Sequence, residues 1–314
     1  MSALAVPLAG SLVRAAVTLG GAALATFALL WHAPGDPALA IALARFDAVV
    51  PAEVVERIRA EAGLDAGFWR AFGNWLGPLL RGDLGNSTVT GRPVRPDLLA
   101  AVRLTAPLAL AGLAVGVALA VPLALLAVRR PGGAIDRGAV ALASLGAAVP
   151  AYWLGLLLVL LFAVELGWLP AMGARTPQHL VLPALTLGLG VAASLTRILR
   201  SGLLEARGAP FLPALVRRGV PRGRIARDHV APHAAIPVVT VLGLELAFLL
   251  EGAVIVEVIF ARPGLGRFLV DAIGARDLPK VQAVVLLTAI VFVVVNLAVD
   301  AIYRRVDPRI GADA

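Results

Sequence analysis

The chain has 314 residues, 60% of them hydrophobic and only 15% charged, with a net charge of +8 at pH 7 and no cysteine. Soluble domains lie nearer about half apolar and about a quarter charged, so these proportions exclude an ordinary soluble domain and point to an integral membrane protein. The missing cysteines exclude disulfides, thiolate metal sites and a Cys nucleophile, and the positive balance, all arginine except Lys280, reads as helix-orienting charge rather than a nucleic-acid surface.

The first apolar run, about 12–31, is long enough to span and is followed by WHAPGDP rather than a small-residue cleavage site, so a retained helix is expected there. The segment 32–104 comes next and has order of its own. PAEVVERIRAEAG predicts a short helix, with Pro51 in its first turn, Glu53 and Glu56 at its positive end and Gly63 at C′. FWRAFGNWLGPLL sets Phe68, Trp69, Phe72, Trp75, Leu76 and Leu79 at helical spacing, an amphipathic helix for the membrane surface or the helix bundle. Five further spans are expected at about 105–128, 139–164, 181–199, 237–256 and 281–302. Backbone groups in lipid must be satisfied internally, so all six are helices. Loops 129–138 and 197–236 and the tail (Arg304, Arg305, Arg309) carry fourteen basic residues, against five in the loops of the opposite set. That asymmetry places both termini and the loop 200–236 in the cytoplasm, with 32–104 outside.

Catalytic chemistry is hard to find. Lys280 lies between Pro279 and Val281, so there is no phosphate-binding GK[ST] motif. In PGLGRFL the third glycine of a dinucleotide fingerprint is replaced by Leu269. His229 and His233 are four apart, but Pro232 intervenes and no HExxH forms, so no metal is expected. The informative polar residues are inside spans: Glu245 and Glu251 in the fifth helix, with Glu257 at its outer end, and Asn296 and Asp300 in the sixth. Intramembrane carboxylates must face protein or water, and the first two, six residues apart, point about 120° from each other. One can line a pathway while the other packs on a partner helix; interhelical hydrogen bonding of both is the alternative.

The segment PFLPALVRRGVPRGRIARDHVAP, residues 210–232, is a basic interruption among apolar runs. Pro210 and Pro213 suit a helix start, Phe211–Arg218 gives about two turns, and Gly219 suits a left-handed C′ position. Phe211, Leu215 and the Ala214/Arg218 side form a small stripe. A helix this short needs support, either a groove on a cytoplasmic partner or anionic lipid headgroups.

From here the chain resembles a known family, the inner-membrane permease subunits of bacterial ABC importers in the dipeptide/oligopeptide/nickel group. HAPGDPA at 32–38, RGDLGNS at 81–87, the run from LTRILRS to IPVVT, VEVIFARPGLGRFLVDAI at 256–273 and NLAVDAIYRRVDPRI at 296–310 carry the likeness in order. The resemblance implies an all-α integral membrane domain of six helices, with a long external loop after the first and a cytoplasmic coupling helix between the fourth and fifth. In the family's EAAxxxGx(9)IxLP pattern, Ala214, Gly219 and Pro232 match, while Pro213, Leu215, His229 and Ala231 depart. By that likeness Phe211, Ala214, Leu215, Arg218, Gly219, Ile225, His229 and Pro232 form the ATPase-coupling loop, and Glu245 and Glu251 are candidate pathway groups. The implied partners are a second, related permease in a heterodimer, two ATPase subunits or domains that hold ATP and Mg, an external solute-binding protein and membrane lipid, with no nucleic acid. The chain itself holds no cofactor and is not an enzyme. The cargo is a dipeptide, an oligopeptide or a nickel chelate. A secondary transporter or channel without an ATPase is the alternative, for which an inverted repeat or a charge relay would speak.

Overall fold

The computed structural model describes residues 5–32, 35–46, 50–61, 63 and 65–306. Ala33 and Pro34 of the first family stretch and residues 307–310 of the last, Arg309 among them, lie outside these, as do the side chains of Arg304 and Arg305. The described residues are helical: α1 (Ala5–Trp31), α2 (Pro37–Phe46), α3 (Ala52–Glu61), α4 (Phe68–Leu80), α5 (Val94–Ala127), α6 (Ala134–Ala148), α7 (Ala151–Leu158, prolonged by a π-helical turn Val159–Glu165), α8 (Val181–Arg207), α9 (Leu212–Arg217), α10 (Arg222–Ile225), α11 (Ala231–Ile259), α12 (Leu265–Gly274) and α13 (Leu278–Val306). Five helices are long and apolar enough to cross a membrane, or six if the bent pair α6–α7 is one span.

That bent pair corrects the continuous third helix expected over 139–164: its two arms meet at 100°. The cause is local. A residue before proline is pushed out of the helical region, and Val149 (φ −84°, ψ 122°) and Pro150 (φ −60°, ψ 136°) are both extended.

The chain divides into two compact units, one built from residues up to Leu104 with Pro263–Val293, the other from Thr105–Arg262 with the residues from Val294 on. In the second, α8 is the central helix, and 61% of its span is buried. Leu182, Leu187 and Val191 of α8 meet Leu108 of α5, Leu249 and Val256 of α11, and Phe260 just beyond. Glycines set the α5–α8 distance. A Cβ on Gly116 would stand 2.5 Å from the Val191 side chain, and one on Gly188 would stand 2.8 Å from the Gly112 carbonyl oxygen. Gly112 and Gly116 thus act as the small-xxx-small contact of a membrane helix pair.

In the first unit, α4 turns its aromatic face to α1 rather than to open surface. The Phe68, Phe72 and Trp75 rings lie 5.3–5.5 Å from that of Phe27, while Trp69 remains 70% exposed. Helix α2 carried no recognised sequence signal, although Asp36 accepts the Ala38 N–H at 2.9 Å just before Pro37, an ordinary helix start. Its Ala38, Ile41 and Ala42 are buried with Val55 and Ile58 of α3, and Arg59 of α3 pairs with Asp36 at 2.7 Å. That carboxylate raises the Arg59 pKa further.

Candidate functional site

Helix α8 ends at Gly208, whose N–H reaches the Leu204 and Glu205 carbonyls, and Arg207 donates to the Val128 carbonyl just past α5. A basic side chain there satisfies a backbone acceptor at the negative end of α5. Beyond the end of α8 the chain makes α9, one residue shorter at each end than Phe211–Arg218, with Phe211 at its N-cap and Pro213 in its first turn. Its end is a Schellman motif: the Val220 N–H meets the Leu215 carbonyl, the Gly219 N–H meets the Val216 carbonyl, and Gly219 takes φ +74°.

The stripe read from spacing is divided. Leu215 turns inward with Leu212, onto a small core with Val128, Leu203, Ile225 and Val230. Phe211, Ala214 and Arg218 stay exposed, as do Val216 and Gly219. A helix of six residues cannot be stable alone, and this core supplies its support within the chain. The second half of the loop is already helical: Pro221 precedes α10, which runs through a π-helical turn, Ala226–Val230, into α11. Ile225 is therefore buried, Pro232 half-buried in the first turn of α11, and His229 half-buried. The Phe211 ring is 6.2 Å from that of His229 and 5.5 Å from that of His233. Arg217, Arg218, Arg222 and Arg224 are exposed, and Arg227 bonds Asp228 at 2.7 Å, holding that carboxyl below the usual range.

The fifth-helix carboxylates are separated. Ser194 of α8 donates to Glu245, which is half-buried. Glu251 is exposed. Glu257 is fully buried rather than at a wetted end, and the Thr105 hydroxyl donates to it at 2.5 Å. On α13, the Tyr303 hydroxyl bonds Thr240.

Two polar clusters escaped the sequence reading. Asp136, buried in the first turn of α6, accepts the Gly132 N–H at 2.8 Å and pairs with Arg200 of α8. In the other unit, buried Asp277 accepts from the Ser87 hydroxyl at 2.5 Å and the Thr88 N–H at 3.1 Å, and pairs with Lys280 at 3.3 Å. Only the i, i+3 spacing of Asp277 and Lys280 could have signalled that group; Ser87 is 190 residues away. Lys280 and Asp277 border a cavity of about 500 Å³ with Asp97, Phe268 and Asp271. Among the described residues no cluster of His, Asp and Glu is placed to hold a metal.

Residues 101–312 match the family model described as the inner membrane component of binding-protein-dependent transport systems. The chain is 37% identical over 277 residues to the glutathione transport system permease protein GsiC of Escherichia coli O6:H1 (strain CFT073), covering 88% of this chain and 89% of that one. Identity is 39%, with the same coverage, to the protein of that name from Pectobacterium atrosepticum. Among solved structures, a chain of the MetNI methionine ABC transporter in an inward-facing conformation superposes with a TM-score of 0.57 at 21% identity, over 67% of this chain and 96% of that one. A chain of an amino acid ABC transporter gives 0.53 at 17% identity, over 67% and 94%. At such identities the structures speak for the fold alone.

Proposed function

The chain belongs to the family of inner membrane components of binding-protein-dependent transport systems, and we propose that it imports a peptide-like solute. It is a multi-pass inner-membrane permease subunit of an ABC importer, not an enzyme. The observation that carries the choice of solute is the likeness to glutathione permeases across 88% of the chain. Dipeptides and oligopeptides fall in the same chemical class. A nickel chelate has no support beyond the group likeness. The proposed partners are a second permease, two ATPase subunits or domains and an external solute-binding protein. Both termini and the loop 200–236 are assigned to the cytoplasm on arginine asymmetry.

The coupling role belongs to α9. Its inward residues Leu212, Leu215 and Ile225 hold it to the membrane domain, while Phe211, Ala214 and Arg218 are left to meet a groove on an ATPase subunit. Gly219 fixes where the helix stops, and His229 and Pro232 brace it from the start of α11. ATP binding that closes the ATPase pair then shifts the permease between its states through a docked, rigid element. Glu245 and Glu251 are the polar contribution of α11 to the solute path.

The test is uptake by the purified complex in proteoliposomes, with labelled glutathione, dipeptides, oligopeptides and a nickel chelate offered in turn. ATP-dependent accumulation of a peptide-like solute is expected. Accumulation of the chelate alone would overturn the solute class, and uptake driven by an ion gradient without the ATPase would favour the secondary-transporter alternative.

A further inference from the structure

Helix α11 has two unlike faces. Leu249, Ala253 and Val256 are buried in the chain's own core, and on another flank a Cβ at Gly243 would lie 2.5 Å from Val299 of α13. Turned away from the buried face are Leu244, Phe248, Glu251, Ile255 and Val258, all exposed; Phe248, at 61%, is the most open of the apolar four. Steps of four, three, four and three residues separate them, a 3.5-residue period. That is the period of a seam between two helices, in which large apolar side chains interlock with those of a neighbour.

Apolar side chains alone could face lipid. Glu251 cannot do so cheaply, because a carboxylate at a membrane-spanning position needs protein or water beside it. Among the described residues it has no hydrogen-bond or ion-pair partner, in contrast to Glu245, which Ser194 satisfies. The chain therefore does not complete this face by itself.

We propose that this face of α11 is the seam on which a second permease subunit packs, and that Glu251 there meets a hydrogen-bond donor or a cationic side chain of that subunit. The proposal rests on the reading that the chain works beside a second permease, and it identifies which kind. Glu251 is the middle member of the stripe. Any two-fold pairing of identical chains that keeps their orientation in the membrane would set the two Glu251 carboxylates at the same depth on facing helices, where like charges repel. A different chain with a donor at that depth removes the conflict. The seam thus favours a heterodimer, and a path that runs between the two permeases would pass Glu251.

The experiment uses the complete complex in its membranes, with a photo-cross-linking amino acid in place of Phe248 and, separately, Ile255. Both are expected to yield an adduct with the second permease, identified by mass spectrometry of its peptides. Adducts with lipid alone, or with another copy of this chain, overturn the seam. Co-purification with the unmodified chain separates the two levels: if no second permease is recovered, the parent reading fails. If one is recovered but neither position cross-links to it, only the seam fails. The chain has no cysteine, so Glu251→Cys provides a unique probe. Its modification by a charged thiol reagent in the assembled complex is expected to be at least about tenfold slower than that of Arg130→Cys in an exposed loop. Equal rates would put Glu251 in water and overturn the packed seam.

Discussion

Gly219 is the residue at which backbone chemistry and proposed role meet. Its φ of +74° closes the Schellman turn after α9, and proline, locked near φ −65° and lacking an N–H, can neither adopt that angle nor donate to Val216. Gly219→Pro is therefore expected to abolish uptake and recovery of the ATPase subunit in a pull-down, with membrane insertion unchanged; undiminished recovery would remove the coupling assignment. Glu257 has the opposite character. Buried and bonded by Thr105, it is structural, and Glu257→Ala leaves that hydroxyl without its acceptor, at a cost of about 1–3 kcal/mol. A lower melting temperature of the detergent-solubilised chain is the expected result. Glu245→Gln, which keeps an acceptor for Ser194, is expected to reduce uptake without lowering that temperature; normal uptake would remove Glu245 from the path.

At the scale of elements, α9 separates folding from docking. Leu212→Asp places a charge in the core that holds the helix, so it is expected to loosen the loop and increase its proteolysis. Phe211→Asp alters an exposed side chain and is expected to weaken ATPase recovery while the loop remains resistant. Equal proteolysis of the two would show that the inward and outward faces are not distinct. Helices α5 and α8 make a second case, since their approach depends on hydrogen in place of a side chain. Gly188→Leu must push past Val115 and the Gly112 carbonyl, which a Cβ would meet at 2.6–2.8 Å. Overpacking of this kind costs about 1–3 kcal/mol or more, and loss of the monodisperse chain on size exclusion is the expected outcome.

For the whole molecule, span count, polarity pattern and family point to a subunit that cannot work alone. It offers a helix stripe to one neighbour, a short helix to another, and among its described residues no metal cluster. Six spans were legible because about 20 apolar residues in succession have few alternatives to a helix across a membrane. The bend was not, because a proline between two apolar runs can be absorbed into a membrane helix or can break it. At Pro150 the chain breaks.

The sequence by itself determined the membrane class, the short α3 and α4, the start and stop of α9 to within a residue, and the family. Each rests on local composition or spacing: Pro213 and Gly219 act on their own backbone, and arginines orient loops one by one. Tertiary structure decided which way the side chains face. Leu215 went inward with Leu212 although its spacing grouped it with Phe211. Glu257 was buried, Glu245 was bonded, and Glu251 was left for a neighbour. Ser87 met Asp277 across 190 residues. Helical periodicity gives the angle between two residues of one helix; only the elements packed around that helix say which angle points to protein and which points away.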